Sequence, residues 1–290
     1  MANKSIIATA TITNKSVNQD SKREISTSLI NAVLVADGLG SYKYAEQSSI
    51  LAIEAMQKQL EVEDVDYLDF NKLFRISQES LIELAKQVKR EENYGSDNLF
   101  GTTLIVLVET EKKIKIAYVG NGAIWHIRGN FDEFSSIYSF PWSAVNLLNP
   151  HTVEERGKEA LYRLISDRNT DCNEYIPSII EIEKDSYQGD IFMICSDGIY
   201  SEDQRIFGRN STGVWVKYDS SMRIFFEHLK CFFEKIDYSS EKLHDALIQY
   251  LKEIKTDLDD DATLGVLITK STLEYQLRKR TNINEDNTDK

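Results

Sequence analysis

The sequence has few cysteines, histidines and prolines. Its three cysteines, Cys172, Cys195 and Cys231, lie far apart and lack the close spacing that a zinc or redox motif needs. The four histidines form no ligand pair, and no Pro-rich or Gly/Ser-rich linker divides the chain. These absences indicate one large domain, residues 1–270, followed by a polar tail, residues 271–290. They also fit a reducing cytoplasm.

Long hydrophobic runs and an excess of positive charge are also missing. No stretch approaches the length of apolar sequence that crosses a bilayer, and the first apolar stretch is too short for a signal peptide. The 47 acidic and 34 basic residues give a formal net charge of −13. Such a surface repels polyanions, so neither nucleic acid nor an anionic membrane is an expected partner. We therefore expect an acidic cytoplasmic protein.

The strand patterns in the sequence are short and lie in two groups. Residues 6–12 alternate apolar and small polar residues, and residues 29–36 are almost all apolar up to Asp37 and Gly38. Three apolar runs, residues 102–108, 114–119 and 123–128, are separated by Glu-Lys and Gly turns, which predicts an antiparallel meander. The later predicted strands are residues 179–182, 191–195 and 263–269.

Helical spacing of apolar residues predicts two pairs of amphipathic helices, flanking the predicted sheets. Residues 130–187 are harder to interpret, and we expect irregular surface structure there with a helix-like stretch at 153–165. The polar segment from residue 282 is expected to be disordered. The predicted helices are residues 44–60, 70–89, 222–235 and 242–255.

Four acidic residues, Asp20, Asp37, Asp197 and Asp260, lie in turns at the ends of predicted strands. Each one alone is more simply explained as a turn signal, especially where glycine follows. The strands that lead to Asp37 and Asp197 are very apolar, however, and a buried strand holds a carboxylate at its end rigidly. The four residues are therefore candidates for a shared site.

Carboxylates that converge without histidine or cysteine favour a hard cation, Mg²⁺ or Mn²⁺, over zinc. A pair of such ions can bridge a hydroxide and hold the oxygens of a phosphoryl group, which gives a reason to bring like charges together. Hydrolysis of a phosphomonoester is the chemistry that this pattern favours.

The same residues resemble the motifs of the metal-dependent serine/threonine protein phosphatases of type 2C, the PPM-type family. The order and rough spacing of the motifs agree over residues 14–269, whereas residues 130–187 and the tail lie outside the clear resemblance. The matching segments are Asn18-Gln19-Asp20, Ala36-Asp37-Gly38-Leu39-Gly40-Ser41, Gly101-Thr102-Thr103, Gly120-Asn121-Gly122, Ser196-Asp197-Gly198 and Asp260-Asp261-Ala262-Thr263.

The resemblance implies an α+β fold, a four-layer αββα sandwich in which two antiparallel β-sheets are flanked by helix pairs. It also implies a site for two Mg²⁺ or Mn²⁺ ions. Asp37 would bridge them, Gly38 would offer its backbone carbonyl, and Asp197 and Asp260 would complete the ligands.

Two further residues gain roles from the resemblance. Asp20 would orient metal-bound water. Lys15 occupies the place where relatives often have a phosphate-binding arginine, and it could supply a point charge for substrate phosphate without the bidentate geometry of arginine. A solvated surface lysine is the simpler alternative for Lys15.

Three positions depart from the family pattern. Leu39 stands where some members have a histidine proposed as general acid, so protonation of the leaving group would have to come from water. Asn121 replaces an aspartate that helps to hold a third metal ion, which puts that third site in doubt because an amide is a weaker ligand for a hard cation. Ser41 replaces a glycine and could constrain the turn.

Two classes of function remain open at this point. The first is an active phosphatase for phosphoserine or phosphothreonine in proteins. A narrower form of it is a phosphatase for one dedicated partner, such as a regulator phosphorylated by a cognate kinase, for which residues 130–187 would set recognition. The second is a pseudophosphatase that binds phosphoproteins, with catalysis weakened by Asn121, Leu39 and Lys15.

Overall fold

The structure is a computed structural model. It describes residues 4–62, 67–92, 98–131, 143–155, 158–168, 173–199, 207–209, 215–217, 221–235 and 237–288. Cys172 and part of the segment 130–187 lie outside the described residues. Cys195 and Cys231 form no disulfide with any residue of the described ranges.

The chain forms short strands and longer helices in alternating groups. The helices are α1 (Ala45–Leu60), α2 (Phe70–Glu92), α3 (Ser221–Phe233), α4 (Ser240–Ile254) and α5 (Lys270–Thr288). The strands in chain order are β1 (Ile6–Ile12), β2 (Asp20–Ser26), β3 (Asn31–Asp37), β4 (Gly101–Thr102), β5 (Leu104–Glu109), β6 (Lys113–Val119), β7 (Ala123–Arg128), β8 (Ala144–Asn146), β9 (Thr152–Glu155), β10 (Lys158–Leu161), β11 (Ile165–Ser166), β12 (Ser178–Glu183), β13 (Asp190–Cys195), β14 (Phe207–Arg209), β15 (Trp215–Lys217) and β16 (Ala262–Ile268).

The longer strands form two five-stranded antiparallel sheets. One sheet has the order β1-β16-β13-β7-β8 and the other has the order β12-β6-β5-β3-β2. The short strands make three two-stranded pairs, β9 with β10, β4 with β11 and β14 with β15. The pair β4 and β11 matters for the site, because it joins the segment after β10 to the core.

Both faces of the central strands are apolar because each strand is covered on both sides. In β3, Leu34 packs toward the helices α1 and α2, whereas Val33 and Val35 pack toward the other sheet. In β13, Met193 packs toward α3 and α4, and Phe192 packs between the sheets. Successive side chains of a strand point to opposite faces, so this arrangement requires a layer on each side. The predicted α+β sandwich, with four layers in the order αββα, is confirmed.

The helices cover the outer faces with apolar stripes. Helix α1 buries Ala52, Ile53, Met56 and Leu60 at helical spacing, so one face lies on the sheet while the other stays polar. Helix α4 begins after Ser239, whose side chain accepts a hydrogen bond from the backbone N–H of Lys242. Such an N-cap typically stabilises a helix by about 1 kcal/mol. None of the helices in the described ranges is long and apolar enough to cross a membrane.

The predicted meander of three strands is wrong in its last member. Strands β5 and β6 pair in one sheet, but β7 belongs to the other sheet, where it pairs with β13. The chain changes sheets at Gly120 and Gly122, which have φ values of +100° and +111°. Glycine adopts this left-handed backbone without a steric penalty, so the turn can redirect the chain instead of forming a hairpin.

The helix-like stretch at residues 153–165 is also wrong. The chain there forms β9, β10 and β11, with Val153 opposite Ala160 in an antiparallel pair. Val153 is 44% exposed and Tyr162 is 47% exposed, whereas Leu164 and Ile165 are buried, so the described apolar residues of this segment do not share one buried helix face. Short apolar runs do not distinguish a strand from a helix by spacing alone.

The end of the chain differs from the expected disordered tail. Helix α5 continues to Thr288. Its first turns are fixed to the sandwich, where Leu273 is fully buried and Gln276 donates a hydrogen bond to the carbonyl of Gly129 at 2.5 Å. Extending an existing helix costs far less than starting one, so the polar residues from 282 continue it.

Candidate active site

Asp37 ends β3 and lies opposite Asp20, the first residue of β2, in the antiparallel pair of these strands. The backbone of Asp37 is held on its other side by the β4 segment. Its carbonyl accepts hydrogen bonds from the Thr103 N–H at 2.8 Å and the Thr102 hydroxyl at 2.9 Å. A buried apolar strand and these bonds together fix the position of the Asp37 carboxyl.

Gly38 follows directly and lies where the backbone of α1 comes very close. A Cβ atom at this position would lie 2.1 Å from the carbonyl oxygen of Ala45 and 2.9 Å from that of Gln19. The Gly38 N–H donates to the same Gln19 carbonyl at 3.1 Å. The Asp-Gly pair is therefore more than a turn signal, because any side chain at position 38 would push α1 away from the strand end.

Asp197 lies just past the end of β13, beside the start of β7. Its Oδ2 accepts a hydrogen bond from Nδ2 of Asn121 at 2.9 Å. The preceding residue, Ser196, donates from its hydroxyl to Oδ2 of Asp20 at 2.8 Å, and its Oγ accepts the N–H of Thr263 at 3.0 Å. The ends of strands from both sheets thus meet at one edge of the sandwich.

Asp260 and Asp261 come immediately before β16 and contact the loop between β1 and β2. Nζ of Lys15 donates to Oδ1 of Asp260 and lies 3.9 Å from Oδ2 of Asp261. Asp261 is 2% exposed, accepts the Gln19 N–H at 2.8 Å and is also bonded by the Thr13 hydroxyl. Asp261 therefore holds the loop that carries Lys15, while Asp260 faces the solvent side of the same edge.

These residues surround a cavity of about 510 Å³. Among the residues predicted from the sequence, Lys15, Asp37, Gly38, Asp197 and Asp260 line it, as do the departures Leu39, Ser41 and Asn121. Asp20 does not line it and lies deeper, 8% exposed. The structure therefore brings all the predicted site residues to one edge, with Asp20 behind the others.

The carboxyl groups at this edge carry an electrostatic cost. Burial raises the pKa of Asp37 well above its usual range, and the nearby carboxyls of Asp20 and Asp197 raise it further. Burial also raises the pKa of Asp20 to about 7, despite the hydrogen bond from Ser196. The pKa of Asp197 is raised mainly by burial as well. Buried carboxyls side by side are unfavourable as anions unless a cation compensates them.

The chemistry of the donors fits a hard divalent cation. Oδ1 of Asp20 is buried and has no hydrogen-bond partner among the described residues. Asp37, Asp197 and Asp260 present oxygen donors to the cavity, which are the ligands that Mg²⁺ and Mn²⁺ prefer. Within the described ranges, no group of three or more His, Cys, Asp or Glu side chains is already arranged around one ion position. The site thus has suitable donors whose side chains pair with each other, with Asn121 or with Lys15.

A buried histidine supports the turn that presents Asn121. His151 is 3% exposed, its Nδ1 accepts the N–H of Gly120 at 3.2 Å, and its Nε2 lies 2.9 Å from the Ser178 hydroxyl. Burial, assisted by the charge of Arg163, lowers the pKa of His151 to about 4. The ring is therefore neutral at neutral pH, as the bond from Gly120 requires.

Four residues at the site were not assigned roles from the sequence. Tyr42, Glu159 and Arg168 line the cavity, and Asp261 anchors the loop below it. For Asp261 a signal existed in the acidic pair with Asp260. Glu159 and Arg168 lie in the segment 130–187, where no motif points to the site, and only the tertiary fold brings them to the cavity.

The family model described as Protein phosphatase 2C matches residues 7–248 of the chain. A search of curated proteins finds no significant match. Among solved structures, a bacterial serine phosphatase is similar with a TM-score of 0.61 and 14% identity, covering 91% of this chain and 96% of that chain. The serine/threonine phosphatase Stp1 from Staphylococcus aureus is similar with a TM-score of 0.60 and 15% identity, and the match covers 91% of this chain and 94% of that chain.

A further similar structure is the catalytic domain of the serine/threonine protein phosphatase PstP in complex with two manganese ions. Its TM-score is 0.55 at 16% identity, and the match covers 92% of this chain and 98% of that chain. At these identities the structural matches support the fold, and the manganese ions are a property of that protein.

Proposed function

The chain belongs to the protein phosphatase 2C family, and on that premise we propose that it is a metal-dependent protein serine/threonine phosphatase. The observation that carries the proposal is the set of carboxyls at one sandwich edge. Asp37 ends an apolar strand of one sheet, Asp197 follows an apolar strand of the other, and both line the cavity with Asp260. A fold that buries like charges together gains from doing so when a cation binds there.

We assign the metal ligands as Asp37, the Gly38 carbonyl, Asp197 and Asp260, for two Mg²⁺ or Mn²⁺ ions. A similar structure that holds two manganese ions supports this number. When bound, the ions supply positive charge for the phosphoryl oxygens and lower the pKa of a water. The donors are held by the backbone, since Asp37 and Gly38 are bonded to Thr103 and Gln19.

Asp20 is proposed to orient the attacking water from behind the ligands. Its Oδ2 is taken by the Ser196 hydroxyl at 2.8 Å, and its Oδ1 has no partner among the described residues. A carboxyl fixed through one oxygen can accept a hydrogen bond through the other. Asp20 would thereby position a proton of the water without itself binding an ion.

Lys15 is proposed to attract the substrate phosphate. Its ammonium group faces the cavity while bonded to Asp260, and a lysine provides a point charge rather than a bidentate contact. Leu39 lines the same cavity and offers no proton. The leaving oxygen would therefore take its proton from water, which penalises poor leaving groups most.

The substrates that this site would serve are phosphoserine and phosphothreonine in a protein, made by a cognate kinase. We place the reaction in the cytoplasm. Cys195 and Cys231 form no disulfide within the described ranges, which is consistent with a reducing compartment.

A phosphoprotein-binding pseudophosphatase is the second candidate, and two contacts favour it. Asn121 already donates to one oxygen of Asp197, and Lys15 already donates to one oxygen of Asp260. Both contacts compete with an ion for its ligands. A protein that binds phosphoproteins without metal would keep these contacts during binding.

Phosphate release from a phosphopeptide, measured with Mg²⁺, with Mn²⁺ and with EDTA, tests the proposal. We expect release with either ion and none with EDTA. Calorimetry of Mn²⁺ binding separates the two candidates. An absence of turnover and of metal binding, together with affinity for the phosphopeptide, would support the pseudophosphatase instead.

A further inference from the structure

We propose that Arg168 and Tyr42 form a second subsite of the cavity, which binds an anionic side chain that flanks the phosphorylated residue of the substrate. This inference rests on the proposed function, because it names the class of substrate that the same cavity accepts. The ligand is a carboxylate, from aspartate or glutamate, or a second phosphate on the same peptide.

Arg168 is held by the core and is not a loop side chain that reaches the cavity by chance. The backbone carbonyl of Arg168 accepts a hydrogen bond from Nε2 of the buried Gln78 at 2.9 Å, and its backbone N–H donates to the Ser166 hydroxyl at 3.3 Å. Ser166 belongs to β11, which pairs with Gly101 and Thr102 of β4. Since β4 also holds the backbone of Asp37, the positions of Arg168 and the metal ligands are linked through one short strand pair.

Tyr42 supplies the second polar group of this subsite. The residue is 7% exposed, and a Cβ atom on Gly101 would lie 2.8 Å from its ring, so the ring packs directly on β4. Its hydroxyl has no hydrogen bond of regular geometry among the described residues, and the nearby Arg168 guanidinium, which has only donors, can approach the hydroxyl oxygen but cannot accept its proton. A buried hydroxyl proton without an acceptor is costly, and a ligand oxygen in the cavity would accept it.

The contact of Arg168 with Glu174 indicates which kind of ligand the guanidinium binds. Its NH1 lies 3.2 Å from Oε1 and 3.5 Å from Oε2 of Glu174, so the guanidinium already binds a carboxylate. The side chains of Arg168 and Glu174 are 42% and 22% exposed. A partly exposed ion pair contributes little and can be exchanged for a substrate carboxylate or phosphate, which arginine binds well.

The rest of the cavity explains why a basic group is needed there. The protein carries a net charge of −13, and the cavity is lined by carboxyls at its ligand end. Lys15 and Arg168 are the basic residues on the described lining, and Lys15 lies at Asp260. The lining also includes Leu161 and Leu164, which suit the aliphatic part of a peptide. Arg168 lies away from the position of the reacting phosphate, and it would therefore reduce the electrostatic repulsion between the protein and an acidic substrate.

The test compares phosphopeptides that differ at one flanking position, which carries alanine, glutamate or phosphoserine. The substitution is placed in turn at each of the three positions on either side of the target phosphoserine. The measured quantity is kcat/KM with Mn²⁺, together with peptide affinity by fluorescence anisotropy. We expect at least one position at which glutamate or phosphoserine raises both values over alanine by about tenfold, which corresponds to about 1.4 kcal/mol.

Variants identify the residues that cause this preference for an acidic peptide. Arg168→Gln should reduce the ratio of kcat/KM for the acidic peptide to kcat/KM for the alanine peptide to about one. Tyr42→Phe should reduce this ratio less. Glu174→Gln should increase the ratio, because the internal carboxylate no longer competes. Arg163→Gln is the control, since Arg163 lies in the same segment without lining the cavity, and it should keep the ratio of the wild type.

The inference is overturned if Arg168→Gln changes kcat/KM for all three peptides by the same factor, or if the wild type prefers no acidic peptide at any position. If no peptide is hydrolysed at all, the proposed phosphatase function fails, and the anisotropy ratios alone decide the subsite. A preference for phosphoserine without one for glutamate identifies a doubly phosphorylated substrate as the ligand source.

Discussion

Asp20 and Asp37 face each other across the pair of strands β2 and β3, and Asp20 is fixed by the Ser196 hydroxyl from the other sheet. The two carboxyls thus lie where both sheets meet, although their residues are far apart from Asp197 and Asp260 in the sequence. Burial raises the pKa of both groups. The stability of the protein should therefore depend on what compensates these charges.

The first prediction concerns Asp37→Asn in the absence of divalent metal. The substitution replaces a carboxyl whose anion is disfavoured by burial and by neighbouring carboxyls with a neutral amide, so the free energy of unfolding should rise by on the order of 1 kcal/mol. Adding Mn²⁺ should stabilise the wild type and leave the variant nearly unchanged. Thermal unfolding with EDTA and with Mn²⁺ measures both effects. A variant that is less stable than the wild type in EDTA would contradict this reading of the cluster.

The second prediction compares two glycines of the same turn. Gly38→Ala places a Cβ 2.1 Å from the Ala45 carbonyl oxygen and should cost about 2 kcal/mol or more, because the backbone of α1 must move. Gly40→Ala is the matched control, since its nearest neighbour is the flexible Gln19 side chain at 3.4 Å. Urea unfolding distinguishes them. Equal losses for the two variants would show that the close approach at Gly38 is unimportant.

The third prediction concerns Asn121→Asp. The new carboxylate would face Oδ2 of Asp197, which now accepts the amide of Asn121 at 2.9 Å. The protein should be less stable in EDTA and should gain a larger increase in melting temperature from Mn²⁺, because a charged ligand binds a hard cation more strongly. It should also turn over faster at low Mn²⁺. Asn121→Ala, which removes the bond without adding charge, should lack the larger metal response. If Asn121→Asp and Asn121→Ala respond alike to Mn²⁺, position 121 is not at a metal site.

The fourth prediction concerns acid. Folding lowers the pKa of His151 from about 6.5, its usual value, to about 4. The unfolded chain therefore binds more protons in this window, so the stabilising contribution of a neutral His151 is present above about pH 6.5 and is lost as the pH falls toward 4. Denaturant midpoints at pH 7, 5.5 and 4.5 should fall less steeply in His151→Gln than in the wild type.

The control for this experiment is His228→Gln, a histidine on α3 whose Nε2 lies 2.8 Å from the Glu253 carboxylate, away from the site. This variant should keep the fall of the denaturant midpoint with pH that His151 causes. An identical pH slope for the wild type and His151→Gln would remove His151 as the cause.

Strands with apolar residues on both faces could be predicted from the sequence closely. The bounds of β1 and β7 agree with the expected 6–12 and 123–128, since these strands combine strand periodicity with clear turn residues at their ends. The polar edge strand β2 was missed because its burial pattern has few buried positions. The pairing of β7 with β13 could not be read from local sequence, because sheet membership is decided by contacts distant along the chain.

The placement of candidate residues at one cavity was predictable where carboxyls are attached to apolar strands and glycine turns. Asp37, Gly38 and Asp197 lie at the cavity for this reason. The anchoring role of Asp261 was not predicted, since an acidic pair does not say which member faces inward. Arg168 and Tyr42 reach the cavity through the pairing of β11 with β4, and such short strands leave no periodic signal.

The central claim is that the carboxyls at this edge hold metal ions that activate hydrolysis of a phosphopeptide. The most direct measurement is kcat for phosphate release as a function of Mn²⁺ concentration, for the wild type and for Asp37→Asn. We predict saturable dependence on Mn²⁺ for the wild type and a loss of at least about a hundredfold for the variant. Metal-independent release by the wild type, or turnover of Asp37→Asn within a few-fold of the wild type, would contradict the claim.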